Sequence, residues 1–118
     1  MAQEFILGDS RPYVVNLSIN GATFPIDPLA ATVKAALVKS DKTKLLAGPV
    51  TLSSTTPGAD WSVSKLVVKF PRAATADVKE KGDHLLEVQV TFDNADTNVD
   101  DDDWTWFIPV TLARGNIP

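Results

Sequence analysis

Apolar and polar residues alternate with a period of two along most of this chain, and the alternation is longest in its last third. His84, Leu86, Val88, Val90 and Phe92 share one face of a stretch whose other face carries Glu87, Gln89 and Thr91. Trp104, Trp106, Ile108, Val110 and Leu112 repeat the pattern after an intervening run from Asp93 to Asp103. Period-two alternation rich in β-branched and aromatic residues is the strand signal, and a run of Asp and Asn cannot bury enough apolar surface to be anything but loop. The two arms are therefore expected to form a hairpin at the centre of the core. Earlier in the chain, Tyr13, Val15, Leu17 and Ile19 alternate with Val14, Asn16 and Ser18. Asn20-Gly21 follows, the pair that supplies positive φ most readily at both central positions of a type I′ turn, so a tight hairpin into Ala22-Thr23-Phe24 is expected.

The remaining segments read as shorter strands. Glu4–Leu7 is an edge strand stopped by Gly8-Asp9-Ser10, and Pro25 and Pro28 mark a connection. Ala30–Val38 has alanines that favour a helix, but Val33, Ala35 and Leu37 alternate with Thr32, Lys34 and Ala36, and the segment is short for an uncapped helix. It is read as a strand. Leu45-Leu46 leads to Gly48-Pro49, after which Val50–Leu52 starts another strand, and Ser53–Asp60 is a surface loop. In Val63–Phe70, Leu66, Val68 and Phe70 face inward and Lys65, Val67 and Lys69 outward. Ala73–Lys81 is the one helical stretch, with Thr75 able to cap it, Asp77 near its start, Lys79 and Lys81 near its end, and Gly82 stopping it. The sum predicts an all-β chain, residues 1–118 forming one immunoglobulin-like antiparallel β-sandwich, with one short helical turn before the penultimate strand.

Composition narrows the function classes. The chain has 118 residues, 44% hydrophobic and 22% charged, with no cysteine, so disulfides and cysteine-based metal sites are excluded. The formal charge is −4, with aspartates gathered at the hairpin tip, which argues against a nucleic-acid partner. No run of about eighteen apolar residues is present, so no membrane insertion is expected. Met1-Ala2-Gln3-Glu4 lacks the basic and apolar regions of a signal peptide.

Candidate chemistry is sparse. His84 is the only histidine and lies in phase with an apolar face, where a structural role is the better reading. No nucleophile elbow, phosphate-binding loop or zinc-binding helix motif occurs, so the chain is expected not to be an enzyme and to carry no cofactor. Asp96, Asn98 and Asp100 match the opening of a calcium loop, but Asp101 stands where glycine is needed and Phe107 where the bidentate glutamate is needed. A looser calcium set of Asp93, Asp96, Asp100 and Asp102 is the remaining metal candidate, against a tip that is simply solvated. Trp104 and Trp106 would suit sugar stacking, but their phase with Ile108, Val110 and Leu112 predicts burial. Trp61, beside the polar loop, is expected to be the partly exposed aromatic. Trp61 and Asp100, Asp101, Asp102 and Asp103 are the candidate partner contacts.

Several short motifs carry a family likeness: Gly8-Asp9-Ser10 before the first long strand, Asn20-Gly21 followed by Ile26-Asp27 and Ala31-Thr32-Val33, then Gly82-Asp83-His84-Leu85-Leu86-Glu87, and an aromatic last strand ending in Arg114-Gly115-Asn116-Ile117-Pro118. In these the chain resembles the small immunoglobulin-like sandwich domains of tailed-bacteriophage virion proteins, particularly the N-terminal domain of upper baseplate proteins. His84 or Leu86 stands where that family usually has an aromatic after the glycine, and the aspartate-rich tip is not a family hallmark. The resemblance implies a non-enzymatic virion component, made in the host cytoplasm, that anchors or connects fibre or receptor-binding proteins in the tail or baseplate. It implies multiple copies assembled with other virion proteins. Within the same class the alternative is a head-decoration protein. From a different class comes a carbohydrate- or calcium-dependent binding module.

Overall fold

A computed structural model describes residues 3–8, 10–76, 78–79, 81–92 and 102–114. The fold is all-β and sandwich-like. Its strands are β1 (Gln3–Leu7), β2 (Tyr13–Asn16), β3 (Ala31–Val38), β4 (Leu45–Thr51), β5 (Lys65–Val68), β6 (Gly82–Phe92) and β7 (Asp102–Arg114), with a 3-10 turn at Trp61–Val63 and a single helical turn, α1 (Arg72–Thr75). One layer is a five-stranded sheet ordered β1-β7-β6-β3-β4, and the other is the β2-β5 pair. Among the described strands all pairings are antiparallel except β1 with β7, which is parallel and departs from the antiparallel expectation.

The alternating pattern becomes two faces. Val33, Ala35 and Leu37 of β3, Leu86, Val88 and Val90 of β6, and Val110 and Leu112 of β7 are buried on the inner face of the large sheet. Tyr13 and Val15 of β2, Leu17 beyond it, and Leu66, Val68 and Phe70 in and after β5 close over them. Each buried aliphatic side chain contributes about 1.5–3 kcal/mol relative to exposure, so this two-sided face is the main stabilising feature. Phe5 joins the layers at one end, its ring stacked on Tyr13 at 4.0 Å and set edgewise to Phe70 at 6.4 Å. The Tyr13 hydroxyl accepts a hydrogen bond from the Ile6 amide at 2.8 Å, and Thr75 Oγ1 accepts one from Gly8 at 2.8 Å.

Local chemistry sets the turns. Asn20 and Gly21 both have positive φ, 52° and 83°, and Ile19 and Ala22 exchange two backbone hydrogen bonds of 2.9 and 3.0 Å across them. The tight turn is present, but pairing stops at that one bridge, because β2 ends at Asn16 and Ala22–Phe24 forms no strand. β4 runs through Gly48-Pro49 as one irregular strand, where Gly48 has φ +93° and an added Cβ would sit 3.0 Å from the Ala35 carbonyl oxygen.

Three expectations need correction. The helix covers Arg72–Thr75 and not Ala73–Lys81. Val78 is drawn into the core, which pulls the chain off the helical path, and Thr75 is a buried anchor for Gly8 and not a cap. Val67 is 3% exposed although its phase points outward, because the loop through Gly58 lies over it, with an added Gly58 Cβ 3.6 Å from a Val67 methyl. No described helix is long and apolar enough to cross a membrane.

Candidate functional site

The register of the last hairpin builds an aromatic corner. Phe92 faces Asp102, Val90 faces Trp104, and Val88 faces Trp106, so the large side chains of β7 stand on the inner face of the sheet, as their phase predicts. At this end, however, the covering layer is no longer a strand. It is Ser18 and Phe24, on either side of the Asn20-Gly21 turn. Phe24 stacks on Trp106 with ring centroids 5.5 Å apart and planes 9° from parallel. Trp106 Nε1 donates to the Ser18 carbonyl oxygen at 3.1 Å, which fixes the ring against the other layer. Trp104 packs edgewise on Phe92 at 4.7 Å and on Trp106 at 6.4 Å, and keeps 42% of its surface exposed. The expected core burial is met in part by Trp106, half-buried against the core, and fails for Trp104. Phase chooses the face of a strand, whereas burial depends on what covers that face.

Trp61 reverses in the opposite sense. It is 6% exposed and belongs to the core cluster, so it is not the partly exposed aromatic of the sequence reading. Asp60 caps the 3-10 turn, accepting from the Ser62 amide at 3.2 Å and from its hydroxyl at 2.5 Å, while the Asp60–Lys65 bridge closes the chain on itself. Ser64 completes the turn at φ +50°, donating its buried hydroxyl to Leu17 O at 2.9 Å and accepting from the Phe24 amide at 3.3 Å. The Ile26 amide donates to Trp61 O at 2.8 Å. These bonds turn the indole inward, where Nε1 has no hydrogen-bond partner.

The outer face of β7 carries a second exposed ring. Phe107 is 37% exposed, and the Lys42 ammonium sits 4.3 Å from its centroid, a cation–π contact worth about 0.5–1 kcal/mol at an exposed site. Between the two rings the strand is open on one side. β1 pairs with β7 only from Val110 to Arg114, and from Asp103 to Pro109 no described strand flanks it there.

The aspartate candidates divide. Asp93, Asp96, Asp100 and Asp101 lie outside the described residues; Asp102 opens β7, and Asp103 is exposed opposite Thr91. Among the described residues no group of three His, Asp or Glu side chains converges as a metal site. His84 is half-buried, with Nδ1 3.1 Å from the Gly82 carbonyl oxygen, to which it donates when that nitrogen carries the proton. Phe24, Phe92 and Phe107 are the site residues that sequence reasoning missed. Phe107 had a legible signal, since it falls out of phase with Trp106 and Ile108. Phe24 had none beyond its place after the Asn20-Gly21 turn. No family model, curated protein or solved structure matches the chain.

Proposed function

We propose that this chain is a non-enzymatic attachment module of a tailed-phage particle, an immunoglobulin-like tail or baseplate component that connects fibre or receptor-binding proteins. The observation that carries an attachment role is the aromatic corner, where Trp104 and Phe107 project from opposite faces of one open-sided strand. Tryptophan and phenylalanine offer large apolar area with few rotors to immobilise, and aromatics of this kind anchor protein interfaces. The phage assignment itself is supported by the sequence resemblance, and the sandwich architecture agrees with what that resemblance implies. Its partners are then other virion proteins, met in multiple copies. Co-sedimentation with purified tailed-phage particles is the test: the chain should travel with intact particles and localise to the tail by immunolabelling. Labelling on the head would favour a decoration protein, and absence from particles would remove the virion role.

A second reading, a carbohydrate-binding module, is favoured by one observation: the exposed face of Trp104 beside Phe92 is a platform on which a sugar ring can stack. Binding to a glycan array that disappears in Trp104→Ala, with the fold intact by circular dichroism, would select it. Retained particle binding without any glycan signal would reject it. Calcium dependence through Asp93, Asp96, Asp100 and Asp102 is read directly by calorimetric titration with the ion.

A further inference from the structure

We infer that the open edge of β7, from Asp103 to Pro109, is a docking groove for an extended, lysine- or arginine-bearing segment of another protein, which adds to the large sheet as a sixth strand. This rests on the attachment reading and adds which surface is used and what kind of segment it takes. A strand edge presents unpaired N–H and C=O groups, and proteins normally blunt such edges with bulges, proline, lysine or a covering loop. The sheet's other edge, β4, is blunted in this way, by register shifts against β3 and by Gly48-Pro49. The β1 edge is met by side chains, with Tyr13 taking the Ile6 amide and Thr75 the Gly8 amide. Along Asp103–Ile108 the β7 edge carries no bulge, proline or lysine among its own residues, and a proline comes only at its end, Pro109. Its register with β6 runs unbroken from Gly82–Leu112 to Phe92–Asp102, without a bulge. Asp103, Trp104, Thr105, Phe107 and Pro109 are all exposed, in a strand whose neighbours Val88 and Val90 are fully buried. Pro109 offers no N–H, so the ladder has a natural stop just before β1 begins at the Gln3–Val110 pair.

Charge selects the occupant. Asp103 stands exposed at the start of this edge, and the chain carries a formal −4. A second copy would bring the same acidic charge, whereas a basic segment meets opposite charge. The rings add to this preference: the Lys42 ammonium already lies over Phe107, and Trp104 offers the same kind of surface on the other face. Main-chain hydrogen bonds would supply the register and alternate side chains the selectivity, as in other strand-addition complexes.

The probe is a peptide of about seven residues alternating lysine and valine, long enough to span Asp103–Pro109. Titration followed by amide hydrogen exchange should show saturable binding and exchange slowed at least about tenfold within residues 104–108. N-methylation of alternate amides preserves the charge but removes donors, and should weaken binding about tenfold or more. Asp103→Lys, at an exposed site, should weaken it several-fold while leaving the melting temperature unchanged. Equal binding of the methylated peptide, or protection confined to other strands, would overturn strand addition. A free chain that dimerises with these same amides protected would overturn the assignment to a foreign segment. Particle binding that survives Asp103→Lys, together with absence of peptide binding, defeats the groove and leaves the attachment role standing. Peptide binding by a chain absent from particles does the reverse.

Discussion

Ser64 shows how much one small side chain can decide. It is fully buried in a left-handed backbone conformation, and its hydroxyl serves both the Leu17 carbonyl and the Phe24 amide. That pair of bonds joins the end of β2, the turn that holds Trp61, and the segment that presents Phe24 to the aromatic corner. Ser64→Ala strands both backbone groups and is expected to cost about 1–3 kcal/mol in urea denaturation, with altered tryptophan fluorescence as Phe24 loosens over Trp106. A second residue-scale prediction concerns Asp41, in the turn between β3 and β4. The Thr43 hydroxyl donates to its carboxylate at 2.6 Å and the Thr43 amide at 3.0 Å, and these bonds hold the Asp41 pKa below the usual carboxylate range. A depressed carboxylate stabilises the fold above its unfolded pKa, and that contribution fades as pH falls through the folded value. Thr43→Val should raise the Asp41 pKa in an NMR titration while the neutral-pH fold is kept.

Strand by strand, the sequence was most readable where alternation and local chemistry sufficed. β3, β6 and β7 declare themselves by period, the inward phase of Leu86, Val88 and Val90 is correct, and Asn20-Gly21 adopts the positive φ values its turn requires. Leu86 is 0% exposed in the middle of β6, flanked by Leu37 and Ile108, so Leu86→Ala should cost about 2–4 kcal/mol by chemical denaturation; a loss under about 1 would contradict this packing. Burial set by non-local cover was not readable. Val67 is outward in phase yet buried beneath the loop through Gly58, and Trp61 and Trp104 exchange their expected exposures because a capped turn seals one, whereas the rings of Phe24, Phe92 and Trp106 cover the other in part. Helix content was overestimated at Ala73–Lys81 because propensity does not register the pull of Val78 into the core.

At the scale of the whole molecule, the parallel pairing of the first and last strands was the largest surprise. No local pattern encodes it, because the partners are separated by nearly the entire chain. Phe5 makes the pairing stick by carrying β1 into contact with Tyr13 and Phe70 of the opposite layer. Phe5→Ala should therefore cost about 3–5 kcal/mol, read from the shift in denaturation midpoint, because it removes the ring that links the two layers at that end.

The direction of β1 also has a practical bearing on how the protein is handled. Because Gln3 lies beside Val110 and β1 then runs parallel to β7 toward Arg114, the chain enters β1 next to the end of the open stretch at Pro109. Under the strand-addition proposal, a lysine- or arginine-bearing handle joined ahead of β1 is a tethered competitor for that stretch, at high effective concentration. A handle for capturing partners is therefore better placed at the carboxyl end.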